Sequence, residues 1–351
     1  MSPRSEEKRS DAREQRVRPV PRDLSFRASR RTIVVGAVVG LPVSVALLLL
    51  SLRHLDTSAL KESIGGARPW ALALGVCAVA VVYVVQAARW RVISGTAPPV
   101  AWTRFVEWTL GAIAVNNVIP GRPGDLLRVE WLARGARMPR TRALASVAVD
   151  RGLDLLTLVA GFALAYPVVR HTPWLDRIGV AGGVLGIVVA VLLVVATIYA
   201  RRARSARAGR VRNALAEIAH QAGSRLRGRR GVAAFLLSML AWGIWALSAW
   251  LVAYSLGVTL TPVEVVFVTA VLNLGVAIPS SPGFIGTYQW LGVSALGALG
   301  VNHTDAFAFS ILMHAAWFVP TTLAGAVLAL RKLSPAVADI FPRRTSESHA
   351  A

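Results

Sequence analysis

Asn116-Asn117-Val118-Ile119-Pro120-Gly121-Arg122-Pro123-Gly124-Asp125-Leu126-Leu127-Arg128 interrupts an apolar stretch that otherwise runs over about 102–136. Two prolines three residues apart remove two backbone donors and block helical continuation. Broken backbone at membrane depth survives only where protein or a water-lined cavity covers it. The stretch is therefore expected to be a re-entrant helical hairpin. Ile278-Pro279-Ser280-Ser281-Pro282-Gly283 breaks a second apolar stretch, about 262–300, in the same way.

The tracts around these breaks are those of a membrane protein. Of 351 residues 55% are hydrophobic and 16% charged, where a soluble domain carries roughly a quarter charged residues. Mean hydropathy is +0.55. Six apolar runs have the roughly 20-residue length of a membrane helix: about 32–52, 69–92, 143–168, 178–200, 231–256 and 305–330. The expected fold is an all-α polytopic membrane protein with six transmembrane helices and two re-entrant hairpins. The net charge of +21 is carried almost wholly by arginine. Those arginines flank apolar spans, so they read as positive-inside signals and lipid contacts rather than nucleic-acid binding.

Charge placement sets a topology. The tail 1–31 carries ten basic residues and 201–230 ten arginines, which puts both in the cytoplasm of a cell inner membrane, together with the C-terminal tail 333–351. The first broken stretch then enters from the cytoplasmic face and the second, nearly free of basic flanks, from the outer face. Repeats over about 69–168 and 231–330 of the membrane domain 32–332 are thus expected to be inverted, with a substrate site between the breaks. Segment 211–220 reads as a basic amphipathic helix, and 201–230 as a candidate docking segment for a cytoplasmic partner. Oligomeric state is left open. Cys77 excludes an internal disulfide and a cysteine-based zinc site; it is expected to be a small buried side chain. Trp90, Trp102, Trp108, Trp131 and Trp174 fall near span ends, as interfacial anchors do.

Ionisable residues inside apolar stretches cost about 2.5–3.5 kcal/mol each at a helix centre unless paired or solvated. Arg122, Asp125, Arg128, Asp150, Arg151 and Asp154 are of this kind. Asp125/Arg128 and Asp150/Asp154 each share a helix face. Arginine suits bidentate phosphate binding, and Gly124 and Gly283 open half-helices whose amides add positive potential. Arg122, Arg128 and Arg151 are expected to hold a lipid phosphate, with Asp150 and Asp154 orienting them or carrying a proton. Ser280, Ser281, Thr287, Tyr288 and Gln289 offer neutral donors, Ser281 also a helix cap, and His314 a relay or packing role.

The blocks Asn116–Arg128, Ala143–Val149 with Asp150-Arg151-x-x-Asp154, and Ile278–Thr287 resemble the lysylphosphatidylglycerol synthase transmembrane region family, also called flippase-like domain proteins. The resemblance covers about 30–332. It adds Asn116 and Asn117 to the candidate site, and it marks Pro120, Pro123, Gly124, Pro279, Pro282 and Gly283 as the structural breaks. Asp125 stands where a glutamate is common. No soluble aminoacyl-transfer domain is expected beside the membrane part, and the resemblance then implies a stand-alone lipid-translocation module: no enzyme, no catalytic residue, no cofactor, no metal. The expected substrate is an anionic lipid, a phosphatidylglycerol derivative or a polyprenyl-phosphate carrier. Two alternatives stand beside it: a transferase using polyprenyl-phosphate sugars, although no Asp-x-Asp or His-Glu-x-x-His is present, and a membrane partner that recruits a cytoplasmic enzyme.

Overall fold

The computed structural model describes the backbone of residues 30–53, 55–96, 99–119, 122–169, 223–276 and 281–340, and side chains within 41–328 of these. The described residues form helices and connecting turns: α1 (Arg30–Leu52), α2 (Thr57–Gly65), α3 (Pro69–Ser94), α4 (Trp102–Val118), α5 (Pro123–Gly135), α6 (Arg140–Ala165), α7 (Gly228–Ser255), α8 (Pro262–Gly275), α9 (Thr287–Ala298) and α10 (His303–Ile340). Short 3₁₀ turns follow α6 at Tyr166–Val168 and precede α9 at Pro282–Phe284. The expected span 178–200 and the segment 201–222 lie outside the described residues.

Three described helices are long and apolar enough to cross a bilayer: α3, α7 and His303–Leu328 of α10. A fourth span is possible if Leu41–Leu52 and Thr57–Gly65, which meet at 88°, count as one bent pair. The 26-residue α6 has the length but carries five charges; Arg140, Asp150, Arg151 and Asp154 are ion-paired, and Arg142 donates to the Gly95 carbonyl at 3.4 Å. Leu74, Leu240 and Leu323 stand exposed on α3, α7 and α10, an outer surface that suits lipid and not water. The chain is a multi-pass helical membrane protein.

Antiparallel pairs build the bundle. Small residues bring α3 and α7 together: Ser248 Oγ donates to the Gly75 carbonyl at 2.8 Å, and Tyr83 meets Trp245 edge-on at 6.1 Å. Close backbone approach through small residues is how helices associate in lipid. α10 runs back along α4, where Asn117 Nδ2 donates to Thr321 and Thr322 at 3.0 and 2.9 Å.

At the first break, α4 ends at Val118 and α5 starts at Pro123, whose missing N–H costs nothing at the first helical position. The two helices fold back on each other, with Gly135 against Trp108 and Gly111 against Trp131. Gly124 makes the closest approach. A Cβ there would stand 2.0 Å from the Ala112 carbonyl oxygen. The room lets the Gly124 amide donate to Asn116 Oδ1 at 2.7 Å. Across the second break, Gly275 of α8 packs on Leu291 of α9.

Three expectations change here. Trp90 and Trp108 are not interfacial anchors; both are buried with Phe105 in an aromatic cluster whose centroids lie 5.0–6.1 Å apart. Indoles pack well on one another, and this outweighs their preference for the headgroup region. Cys77 is exposed, because it sits on the face of α3 opposite the stripe that meets α7. Between the first span and α3 the chain also forms the short helix α2. Asp56 caps α2, accepting from the amides of Ser58 and Ala59. Finally, α10 continues to Ile340, ten residues past its expected end.

Gly124→Ala is expected to destabilise the protein by about 1–3 kcal/mol, since backbone must move to admit the methyl group. Thermal unfolding in detergent should show this beside Gly243→Ala, which meets nothing within 4 Å and should be near neutral or slightly stabilising.

Candidate functional site

Three helices bring charges to one place. α5 starts from Arg122, a non-glycine residue in the left-handed region (φ 55°), a conformation that costs energy and clusters at functional sites. One turn on, Asp125 and Arg128 share a face, 3.9 Å apart. α6 presents Asp150, Arg151 and Asp154, and α3 presents Arg89.

Asp150 is the node. Its two oxygens accept from Arg89 Nε and from a terminal nitrogen of Arg128, both at 2.8 Å. Asp154, one helical turn along, accepts from Arg89 Nη1 at 2.7 Å and from the Trp242 indole at 3.1 Å. Arg89 also donates to Ser238 Oγ at 3.0 Å. Arg151 reaches Asp125 at 2.6 Å and Asp154 at 3.3 Å. The Arg128 guanidinium lies 4.1 Å from the centre of the Trp90 ring, so the buried aromatic cluster is the floor of the charged one. Arg89, Arg128 and Asp150 are almost fully buried. Ions taken out of water to this degree persist only when paired and hydrogen-bonded.

A cavity of about 280 Å³ opens against this network. Arg122, Arg128, Arg151 and Asp154 line it, as do Asn116 and Asn117 before the first break. Asn273 and Val276 come from before the second break, Phe284 and Tyr288 from after it. Flanks of both breaks therefore wall one space. The remaining wall includes Tyr83 and Gln86 of α3 and Trp242 and Trp245 of α7.

The expected site residues divide. Arg122, Arg128, Arg151, Asp154, Asn116 and Asn117 line the cavity, and Asp125 and Asp150 hold its arginines. Ser281 and Thr287 do not line it. The Ser281 amide donates to Ser44 Oγ of α1 at 2.7 Å, and the Thr287 hydroxyl lies 3.2 Å from the same oxygen. Nor is the Ser281 side chain a helix cap, because its hydroxyl donates to the Ile285 carbonyl at 3.0 Å. These hydroxyls join α1 to α9. His314 stacks between Tyr288 and Trp317, with centroids at 4.8 and 5.1 Å, and its Nδ1 lies 2.9 Å from Gln289 Nε2. It sits behind the cavity wall that Tyr288 and Trp317 form. Ser280, Pro120 and Pro279 lie outside the described residues.

Arg89 is the network residue that the sequence analysis did not single out. A signal was available: Gly75, Val79, Val82, Gln86, Arg89 and Ile93 recur at alternating spacings of four and three, the stripe of α3 that turns inward.

A multi-pass helical membrane protein with an arginine-rich cavity beside broken helices is the class that fold and site define. Residues 33–325 match the lysylphosphatidylglycerol synthase TM region, and the chain belongs to that family. The family makes it a membrane protein of lipid or glycolipid metabolism. The chain is also similar to the glycosyltransferase AglD of Haloferax volcanii, 28% identical over 352 residues, which covers 85% of this chain and 54% of that protein. The chain thus spans about half the length of this relative. That relative carries the name of an enzyme, and this overturns the expectation that the chain is none.

Arg89→Gln should destabilise the folded protein by about 3–5 kcal/mol, the range for leaving buried carboxylates without their cation. Arg91→Gln, at an exposed neighbouring position, should change the unfolding temperature little. Equal effects of the two substitutions would contradict the ion network.

Proposed function

We propose that the cavity receives the phosphate of an anionic lipid, a phosphatidylglycerol derivative or a polyprenyl phosphate, and that the protein moves this headgroup across the bilayer. One observation carries the reading. Four arginines face three aspartates, so the network keeps one positive charge over. Arg122 is exposed at the cavity and has no carboxylate at ion-pair distance among the described residues. An unmatched guanidinium in a membrane protein is costly unless an anion or water meets it, and its planar fork matches phosphate.

The reading extends to topology. In it α1, α3, α6, α7 and α10 span the bilayer, α4–α5 and α8–α9 are re-entrant hairpins entering from opposite faces, and the two repeats are inverted around the cavity. Both termini face the cytoplasm of the inner (plasma) membrane. The fold-back of α4 on α5 and the shared wall of the cavity support this arrangement, as do the basic clusters at 1–31 and 201–230.

A second reading, sugar transfer from a polyprenyl-phosphate carrier, is favoured by the name of the relative from Haloferax volcanii. It uses the same headgroup site, with Asp125 as the base, since its side chain is 25% exposed and those of Asp150 and Asp154 less. Sugar transfer by the purified chain that is lost in Asp125→Asn would establish it.

Native mass spectrometry of the detergent-purified protein tests the lipid reading. The wild type should retain a phosphate-bearing lipid, and Arg122→Gln should lower its occupancy about tenfold, the loss of a charge-assisted contact. Arg122 holds no ion pair, so the variant should fold. Equal lipid retention by both proteins would contradict the reading.

A further inference from the structure

We propose that the headgroup this cavity accepts is a neutral sugar joined to its lipid through a phosphodiester, and that the site rejects aminoacyl headgroups. The proposal rests on the lipid-phosphate reading above and deepens it. It follows from what the cavity offers beyond its arginines.

Charge selects the kind of phosphate. The network keeps one uncompensated guanidinium, and a phosphodiester brings one negative charge. A phosphomonoester brings about 1.5–2 at neutral pH and would leave buried negative charge unmatched. A lysyl headgroup needs a free carboxylate for its ammonium groups. Asp125, Asp150 and Asp154 are each held by arginine at 2.6–2.8 Å. An added cation would stand beside Arg122 with no partner and be repelled.

The neutral end of the cavity selects what the phosphate carries. Thr109 Oγ1 and Trp245 Nε1 are buried and bond nothing among the described residues, although both residues line the cavity. Unsatisfied buried donors are uncommon in native structures and ask for a ligand or water. Gln86 adds a half-buried amide to the same wall. Asn273 spends its amide nitrogen on the Thr269 carbonyl at 2.8 Å, which leaves its side-chain oxygen as an acceptor. Donors and acceptors without net charge match hydroxyls. Trp242 and Trp245, their rings 6.0 Å apart, line the cavity beside them. Indole faces carry negative charge density that favours the C–H face of a sugar ring. Glycerol presents no such face, which separates a glycosyl phosphate from phosphatidylglycerol.

The test uses the full chain in nanodiscs and four competing probes: a hexosyl-phosphopolyprenol, the bare polyprenyl phosphate, phosphatidylglycerol and lysylphosphatidylglycerol. The hexosyl diester should bind at least tenfold more tightly than each of the others. Trp245→Phe keeps an aromatic face, though a smaller one, and removes the indole donor; it should narrow the ratio between the hexosyl and bare phosphate probes about fivefold, the worth of one hydrogen bond. Gln86→Ala, at a position with less packing to lose, should narrow the same ratio. Equal binding of all phosphate probes, or tightest binding of the lysyl lipid, overturns the headgroup assignment and leaves the lipid-phosphate reading intact. Failure of every probe to bind overturns both.

Discussion

The carboxylate of Asp150 holds the rest together. It takes a guanidinium from α3 on one oxygen and one from α5 on the other, inside a helix that has to live against lipid. Neither arginine could remain charged at that depth alone, and neither could the aspartate. Their mutual neutralisation fixes the relative position of three helices. The orientation of α5, and with it the closure of the first helix break, depends on that contact. Gly124 and Asn116 then fit the broken ends together at a separation that no larger residue at 124 would allow.

The proposed function rests on a network that does not quite balance. Arg89 is bound to Asp150, Asp154 and Ser238 and does not line the cavity, so it positions other groups. Arg128 is half used, lying over Trp90 and bound to Asp150. Arg151 spans two aspartates but keeps 38% of its side chain exposed. Arg122 is unmatched. The guanidinium groups thus grade from structural to available as they approach the break in the backbone. A site with its arginines held this way meets an anion without first having to reorganise.

Much of this was legible in the sequence. Paired prolines located both breaks, because proline's missing donor acts wherever it stands. Asp125/Arg128 and Asp150/Asp154 were legible as pairs because helical spacing is local. What failed was long-range. Arg89 lies near a helix end, where hydropathy alone suggests a side chain reaching for headgroups; only the partners supplied by α6 and α7 draw it inward. Ser281 and Thr287 misled for the same reason, since nothing local announces that Ser44 sits 237 residues earlier against the first of them. Trp90 and Trp108 were assigned by position along the span, whereas their neighbours on other helices decided their burial.

The account's central claim is that a lipid phosphate completes the charge balance of this network. The most direct measurement is a cryo-EM structure of the protein reconstituted with a phosphate-bearing polyprenyl lipid. The account predicts phosphate density inside the cavity, within hydrogen-bond distance of Arg122 and of the exposed part of Arg151. Phosphate density confined to the outer surface, with Arg122 turned away to bulk water or headgroups, would contradict it.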